Sequence, residues 1–214
     1  MIRIYGYDRS SNVQKVAWAC DELGLPFELD LTGGTQPRSS KDPDYLLINP
    51  NGQIPTLQDG EFFLWESNSI MRYLDEKYGG GVLMPTTPEG RAIANKWMDW
   101  QLATLYAPMY ELFVAAVRTP PDERDVAAIA AAGDKAATMW KRVEASFGLG
   151  PYLAGEFSLG DIPLGIAVNR WYGIPVAKPS LPKVEAWFER LKSRKPFQDR
   201  VMAIPQPGLA PKRG

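Results

Sequence analysis

The sequence contains no histidine and only one cysteine, and both scarcities exclude whole classes of chemistry. Without histidine the chain has no Ser-His-Asp or Cys-His pair and no usual general base near neutral pH, and most zinc sites are ruled out. One cysteine cannot form an internal disulfide, which agrees with a reducing cytoplasm, and the absence of a CxxC motif excludes autonomous dithiol chemistry. Any catalysis must therefore come from hydroxyls, carboxylates, backbone dipoles or the thiol of a cofactor, with no metal.

The chain also lacks an excess of charge of either sign, with 24 Lys and Arg against 25 Asp and Glu. Nucleic-acid binding depends on a basic excess, so no nucleic-acid partner is expected. No apolar run reaches the roughly 18 residues that a membrane span needs, and the first residues include Arg3 and lack a long apolar core. We therefore expect a soluble cytoplasmic protein without a membrane partner.

The first third of the chain alternates strand and helix patterns. A strand at residues 2–7 precedes a helix whose apolar face is formed by Val13, Val16, Cys20 and Leu23. Further strands are predicted at 27–31, 56–58 and 62–65, and a helix at 69–78. The strands at 56–58 and 62–65 flank Asp59-Gly60 and predict a hairpin. The glycines at 79–81 and the prolines that follow predict a linker at residues 80–88.

The remainder shows only helical periodicity. Thr87-Pro88 predicts a helix start, and one apolar stripe of that helix consists of Met98, Leu102, Leu105, Met109 and Leu112. A second apolar face is formed by Ile93, Trp97 and Trp100. A helix with two apolar faces must be covered twice, for instance by its own bundle and by a cleft or a partner subunit. Two later helices are predicted from Ile129, Gly133, Ala136, Trp140, Val143 and Phe147, and from Leu181, Val184, Phe188 and Leu191.

Two further segments of this part have an expected structural role. Ser158-Leu159-Gly160-Asp161 is similar to a capping box and predicts a buried helix at residues 159–172, with Phe157 and Ile162 as its hydrophobic staple. We interpret it as a folding signal and not as a site. Residues 205–214 are expected to form a loosely held tail.

The run at residues 49–57, Asn-Pro-Asn-Gly-Gln-Ile-Pro-Thr-Leu, points to a bound peptide-like ligand. Pro55 cannot donate a ladder hydrogen bond and belongs at an edge or a turn. A cis Ile54-Pro55 bond would present the Ile54 amide and carbonyl to a ligand backbone. Glu66-Ser67 then opens a helix, where a carboxylate, a hydroxyl and free N–H groups can bind both an ammonium and a carboxylate.

With Ser10-Ser11-Asn12, these motifs resemble the cytosolic glutathione transferases, particularly serine- or threonine-type bacterial members near the Nu, phi and theta-like classes. The resemblance covers nearly the whole chain. It implies an α/β thioredoxin-like domain with a mixed four-stranded sheet at 1–79 and an all-α helical domain at 89–214. It also implies a homodimer, glutathione as co-substrate, a small-molecule electrophile or disulfide as second substrate, and a role in detoxification.

Carried over residue by residue, the resemblance makes Ser10 the catalytic hydroxyl and matches Asn12 to an asparagine of Nu-type members. A hydroxyl at a helix N-terminus can donate to a sulfur anion, and the helix dipole adds to that stabilisation. Two alternatives remain open. Ser10 could only cap the helix, as serine commonly does, or the neighbouring Ser11 could be the donor.

The resemblance also assigns the contacts with glutathione. The ligand backbone is expected at Gln53, Ile54 and Pro55, the γ-glutamyl ammonium at Glu66 and the α-carboxylate at Ser67. Lys41 is a weaker candidate for the glycyl carboxylate, because residues 32–44 are predicted to form a turn-rich loop in which a lone lysine is more often solvated. Phi-type members carry a histidine at the position of Ser40, and this chain departs from that pattern.

The electrophile is expected between the domains, in a pocket lined by Tyr7, Tyr106, Tyr110, Phe113 and Trp171. Aromatic residues at helical spacing are also typical of a core. Arg118 and Arg170 could attract an anionic substrate or simply be exposed charges. Cys20 lies on an apolar stripe and is interpreted as core. Two other functions stay open: a glutathione-dependent disulfide reductase or peroxidase, and a non-catalytic binding protein for glutathione or hydrophobic ligands.

Overall fold

A computed structural model of the protein describes residues 1–204. They form two compact units, Met1–Met84 with Lys195–Ile204, and Pro85–Arg194. The first stretch ends inside the predicted linker at residues 80–88, but the sequence had assigned Lys195–Ile204 to the helical domain. The tail predicted at residues 205–214 lies outside the described residues. Among residues 1–204, no helix combines the length and apolar character needed to cross a membrane.

The first unit is built on a mixed four-stranded sheet in the order β2-β1-β3-β4. Its strands are β1 (Ile2–Gly6), β2 (Phe27–Leu31), β3 (Thr56–Asp59) and β4 (Phe62–Trp65). β1 is parallel to β2 and antiparallel to β3, and β3 and β4 form the predicted hairpin. Ile4 lies opposite Leu29 on one side and Leu57 on the other. The predicted fold class, a thioredoxin-like sheet followed by helices, is confirmed.

Three helices belong to this unit: α1 (Ser11–Glu22), α2 (Pro43–Ile48) and α3 (Ser67–Tyr78). α1 and α3 pack together and close the core with the sheet; the buried cluster is Ile2, Ile4, Val13, Val16, Cys20, Leu57, Ile70 and Leu74. The sequence did not predict α2. A six-residue helix is too short to show a clear period, and its turn-forming flank predicts a loop.

The turn from β1 into α1 depends on a glycine. A Cβ atom at Gly6 would lie 2.4 Å from Cγ2 of Val13, which is far inside van der Waals contact. Gly6 therefore allows the strand end to approach the first turn of α1 closely, and this approach positions the residues between them, including Ser10.

The second unit consists of α4 (Pro88–Trp100), α5 (Tyr106–Phe113), α6 (Val126–Ser146), α7 (Asp161–Gly173) and α8 (Pro182–Lys192). The Thr87 hydroxyl accepts from the Gly90 N–H at 3.1 Å, as expected of an N-cap. The widened π-helical turn Gln101–Leu105 joins α4 to α5. Pro108 lies just beyond it and would clash with the carbonyl four residues earlier, so a widened turn at that point is physically reasonable.

The π-helical turn also changes which residues of the predicted stripe are buried. Met98, Leu105 and Leu112 are fully buried, but Leu102 is 47% exposed. The predicted apolar stripe is therefore only partly buried within the described chain, and Leu102 lies on its exposed part. A wider turn rotates the side chains relative to a regular helix, and a count of three and four residues cannot register that rotation.

The capping motif before α7 is present with a modified geometry. The Asp161 carboxylate accepts from the Ser158 N–H at 2.9 Å, and the Ser158 hydroxyl accepts from the Gly160 N–H at 3.2 Å. The helix begins at Asp161, two residues later than predicted. Asp161 is fully buried and also accepts from the Leu153 N–H at 3.0 Å and from the Trp187 indole at 2.9 Å. This one carboxylate thus joins α7 to α8 and to the preceding loop.

The last described helix, α9 (Lys195–Phe197), continues into a π-helical turn at Gln198–Met202 and packs against α1. The Phe197 ring lies 4.9 Å from the Trp18 ring, centroid to centroid. Arg200 donates to both carboxylate oxygens of Asp21, at 2.6 and 3.0 Å. The chain therefore returns from the helical unit to cover the helix that follows Ser10.

We expect Arg200→Ala to lower the free energy of unfolding by about 1 kcal/mol, since Arg200 is 40% exposed and its ion pair is partly screened. Urea denaturation measures the change. Arg142→Ala, on the exposed surface of α6, is the matched control and should change stability by less than about 0.5 kcal/mol. Equal effects of the two substitutions would contradict a specific role for the Asp21 pair.

Candidate functional site

Ser10 occupies the N-cap position of α1, with φ −73° and ψ 121°. Its hydroxyl makes no hydrogen bond to the first turn of the helix. The backbone fixes the residue instead, because the Ser10 N–H donates to the Tyr7 carbonyl at 3.1 Å and its carbonyl accepts from the Gln14 N–H at 2.8 Å. The alternative that the Ser10 side chain caps α1 therefore has no support here. Ser10 and the adjacent Ser11 are both half-buried.

The N-termini of α1 and α3 lie close together. The Ser67 hydroxyl donates to the Asn12 side-chain oxygen at 3.4 Å, and both residues belong to the first turns of their helices. The first-turn N–H groups and partial positive charges of two helices are thereby concentrated in one region, which favours negatively charged ligand groups.

Glu66 has an unusual backbone conformation directly before α3. Its φ of 72° is the only positive φ of a non-glycine residue among residues 1–204. Such a conformation costs roughly 1–3 kcal/mol, and it is found disproportionately at binding sites. The Glu66 side chain is exposed. The strained N-terminus thus carries a carboxylate next to the Ser67 hydroxyl.

The Ile54–Pro55 peptide bond is cis, as the motif led us to expect. It lies in the loop that enters β3, immediately after Gln53. The Gln53 side chain is exposed, Ile54 is half-buried and Pro55 is buried. The loop therefore offers a polar side chain and a backbone segment beside a buried proline.

A hydrogen-bond network that the sequence did not predict holds the backbone of this loop in place. The Tyr45 hydroxyl donates to the Gln53 carbonyl at 2.6 Å, and the Asn49 amide donates to the same oxygen at 2.8 Å. The Thr56 hydroxyl lies 2.7 Å from that of Tyr45. Burial raises the pKa of Tyr45, which keeps its hydroxyl a donor. Asn49 stood in the quoted motif, but Tyr45 lies in the unpredicted helix α2 and gave no signal of its own.

Lys41 lies beside the same loop. Its ammonium donates to the Asn51 carbonyl at 3.3 Å. Gly52 has φ 57°, and a Cβ there would lie 2.6 Å from the Lys41 nitrogen and 2.9 Å from the Ser40 carbonyl oxygen. The Ser40 hydroxyl donates to the Gly52 carbonyl at 3.0 Å. The absence of a side chain at Gly52 thus lets the Lys41 ammonium approach the backbone of the residues just before Gln53.

Cys20 and the potential metal ligands are placed as follows within the described chain. Cys20 is fully buried, and burial raises the pKa of its thiol to about 12, so it is a core residue as predicted. Residues 1–204 contain no group of three or more His, Cys, Asp or Glu side chains arranged to hold a metal ion.

The five residues predicted to line the electrophile pocket differ in exposure. Tyr7 is half-buried, and its ring packs against Gly34. In the helical unit, Tyr106 and Tyr110 are 45% and 44% exposed, and Phe113 is half-buried. Trp171 is fully buried and belongs to the core of that unit, so it offers no surface to a ligand.

The structure therefore defines a class of protein: a thioredoxin-like unit that gathers hydroxyls, amides and a carboxylate around two helix N-termini, followed by a helical unit. Residues 4–81 match the family model described as the glutathione S-transferase N-terminal domain. Glutathione S-transferase GstB of Escherichia coli is 36% identical over 96% of this chain and 99% of its own length. Glutathione S-transferase 3 of Zea mays is 33% identical over 96% of both chains.

Solved structures agree with these relatives. The theta-class glutathione S-transferase from Xanthomonas axonopodis pv. citri with glutathione bound superposes with a TM-score of 0.88, at 42% identity over 95% of this chain and 98% of that one. The apo form of a glutathione S-transferase III superposes with a TM-score of 0.81 at 32% identity, over 96% and 98% of the two chains. The chain belongs to the glutathione S-transferase family, and the predicted enzyme class is thereby confirmed.

Proposed function

We propose that the first unit binds glutathione and that Ser10 stabilises its thiolate for attack on an electrophilic small molecule. The observation that supports this most is the Ser10 hydroxyl, which lies at the N-terminus of α1 without capping it. A capping hydroxyl is oriented by the backbone N–H from which it accepts, and the Ser10 hydroxyl is not held in this way. This one is available to donate to a ligand sulfur.

The Ser10 hydroxyl and the dipole of α1 can supply the free energy needed to lower the pKa of the glutathione thiol. A free thiol has a pKa of about 8.5, and lowering it by about two units needs roughly 2.7 kcal/mol. A hydrogen bond to a charged group contributes about 1.5–3 kcal/mol, and the helix dipole roughly 0.3–1 kcal/mol. Together they suffice, so neither histidine nor metal is needed.

The remaining contacts of the proposal follow from chemistry. Gln53 and Ile54 bind the backbone of glutathione beside Pro55, and the carboxylate of Glu66 pairs with its ammonium. Ser67 and the N–H groups of α3 bind its α-carboxylate. The Xanthomonas relative has been solved with glutathione bound, which supports the same ligand here.

Two contacts are less direct. Lys41 is proposed for the glycyl carboxylate, because its ammonium lies beside the loop that carries Gln53. Asn12 is proposed to position Ser67, to which it is hydrogen-bonded, and Ser11 remains the alternative donor to the thiolate. In the helical unit, Tyr106, Tyr110 and Phe113 are proposed to contact the electrophile.

We also propose a cytoplasmic homodimer. Apolar side chains on both units are open to solvent in the described chain, among them Phe62 at 45%, Trp65 at 39%, Ile93 at 40% and Leu102 at 47% exposure. Side chains of this size on the doubly apolar helix and on β4 are suited to a second copy of the chain.

The proposal is tested by titrating the ultraviolet absorbance of the thiolate with saturating glutathione. We expect an apparent pKa about two units below the free thiol. Rates with chlorodinitrobenzene and with a glutathione mixed disulfide are then compared. A faster disulfide reaction would favour a reductase, in which the thiolate attacks sulfur. No low-pKa thiolate at saturation would make the protein a binding protein and contradict the proposal.

We expect Glu66→Gln to weaken glutathione binding about tenfold, because the variant keeps the shape and loses the charge that pairs with the ammonium. Calorimetric titration measures the dissociation constant. Glu61→Gln, at an exposed carboxylate in the neighbouring hairpin, should leave it unchanged. A similar dissociation constant for all three proteins would remove Glu66 from the site.

A further inference from the structure

Five residues of the helical unit form an aromatic and cationic cluster: Tyr106, Tyr110, Phe113, Arg118 and Arg170. Tyr106 and Tyr110 lie one turn apart on α5, and their rings stack with centroids 5.7 Å apart and an interplanar angle of 13°. Both tyrosine residues are almost half exposed. Stacked aromatic rings that remain open to solvent offer a flat surface to another ring.

Arg118 is placed against this surface. Its guanidinium carbon lies 5.6 Å from the centre of the Tyr110 ring and 5.4 Å from that of Phe113, and it donates to the Tyr110 hydroxyl at 3.4 Å. Arg170 approaches Phe113 from α7, with its guanidinium carbon 5.4 Å from the ring centre. Two guanidinium groups thus lie over one ring, close to the stacked pair.

Within residues 1–204 the charge of Arg118 has no carboxylate counterion. None of the carboxylates within residues 1–204 forms an ion pair with it, and the neighbouring Glu111 pairs with Lys135 at 2.7 Å. A guanidinium that lies over aromatic rings keeps N–H donors that can pair with a carboxylate or sulfonate in a bidentate manner. Arg118 also lies in the last turn of its helix, where a cation stabilises the helix end, so a purely structural role is the alternative.

We propose that the cluster selects electron-poor aromatic electrophiles that carry an acidic group. Arg118 pairs with the acid, and the ring of the substrate stacks on the tyrosines. This inference rests on the proposed function, since the thiolate comes from glutathione. With a halogen-substituted ring as substrate, the glutathione sulfur forms a bond to the ring carbon that carries the halogen. The halide leaves with its bonding electron pair, and the thiol proton has already passed to solvent.

Binding and turnover are measured with separate probes. The binding probes are dinitrobenzoate and the uncharged dinitrobenzamide, which lack a leaving group, and fluorescence titration gives their dissociation constants. The reactive pair is chlorodinitrobenzoate and its amide, compared by kcat/KM with glutathione. All probes are used with the full-length wild type, Arg118→Met, Arg118→Lys and the control Arg142→Met, an exposed arginine on α6 of the same unit.

We expect wild type to prefer the acid over the amide, and Arg118→Met to lower that preference about tenfold in binding and in kcat/KM. Arg118→Lys should lose part of it, because the charge stays and the planar fork is lost. Arg142→Met should behave as wild type. The preference should also fall as ionic strength rises.

The proposal would be overturned if Arg118→Met weakened the binding and the kcat/KM of acid and amide equally, or if wild type did not prefer the acid. Arg118 would then be a structural residue. If dinitrobenzoate binds in an Arg118-dependent way but neither chlorodinitrobenzoate nor its amide reacts with glutathione, the cluster is a binding site and the proposed transferase chemistry fails. The two hypotheses therefore fail separately.

Discussion

Replacing Ser10 with alanine should return the thiol pKa of bound glutathione most of the way to its value in free glutathione. It should also lower kcat/KM about a hundredfold below neutral pH. In the proposed mechanism the hydrogen bond from Ser10 provides most of the required stabilisation, since the dipole of α1 alone contributes roughly 0.3–1 kcal/mol. The thiolate absorbance titration and the pH profile of kcat/KM measure the two effects independently.

The free energy of unfolding of Ser10→Ala distinguishes a role in thiolate stabilisation from a role as a helix cap. The Ser10 hydroxyl makes no cap hydrogen bond, so Ser10→Ala should change the free energy of unfolding by less than about 0.5 kcal/mol. Loss of a true side-chain cap would cost about 1 kcal/mol. A large fall in activity with unchanged stability is the expected combination.

Ser11→Ala is the matched control, since Ser11 is the next residue and equally half-buried. It should keep the low thiol pKa. If Ser11→Ala loses the thiolate and Ser10→Ala keeps it, the donor assignment moves by one residue. If both variants keep it, the dipole and the backbone N–H groups alone would have to account for activation.

Removal of Asp161 should have the largest effect on stability. Asp161→Ala would leave buried donors without an acceptor: the N–H groups of Leu153 and Ser158 and the Trp187 indole. Leaving such a network unsatisfied costs about 3–5 kcal/mol. Urea denaturation at neutral pH measures the loss. Asp134→Ala, at an exposed carboxylate on α6, should cost less than about 0.5 kcal/mol.

Asp161 should also make stability depend on pH. Burial raises the pKa of its carboxyl to about 6, and hydrogen bonds from Leu153, Ser158 and Trp187 only partly oppose this. Because the folded pKa exceeds the unfolded value, the folded state binds the proton more tightly. The resulting stabilisation is complete below pH of about 4 and is lost as the pH rises through about 6.

A comparison of wild type with Asp161→Asn isolates this contribution. The stability advantage of wild type should shrink by about 2–3 kcal/mol between pH of about 4 and 7, since other carboxylates cancel in the difference. Asp59 illustrates why the difference is needed: Lys77 and two tyrosines lower its pKa to about 2, which gives the opposite slope at lower pH. A difference that stays flat, or grows with pH, would contradict the raised pKa of Asp161.

Local patterns predicted much of the first unit. The strand at residues 27–31 and the hairpin around Asp59-Gly60 follow from alternation and turn chemistry, which involve only neighbouring residues. The helix face of Val13, Val16 and Cys20 is buried as its spacing predicts. Glu66 and Ser67 lie at the start of α3, as the sequence predicted, but their roles toward glutathione remain predictions.

The sequence by itself thus determined most of the elements, their order along the chain and the family, because these depend on local spacing and on motifs that one chain displays. Tertiary structure alone decided that the Ser10 hydroxyl does not cap its helix, that Tyr45 fixes the Gln53 carbonyl, and that Arg200 returns to Asp21. The last contact joins residues 179 positions apart. Such contacts arise from packing in three dimensions, and no periodicity along the chain encodes them.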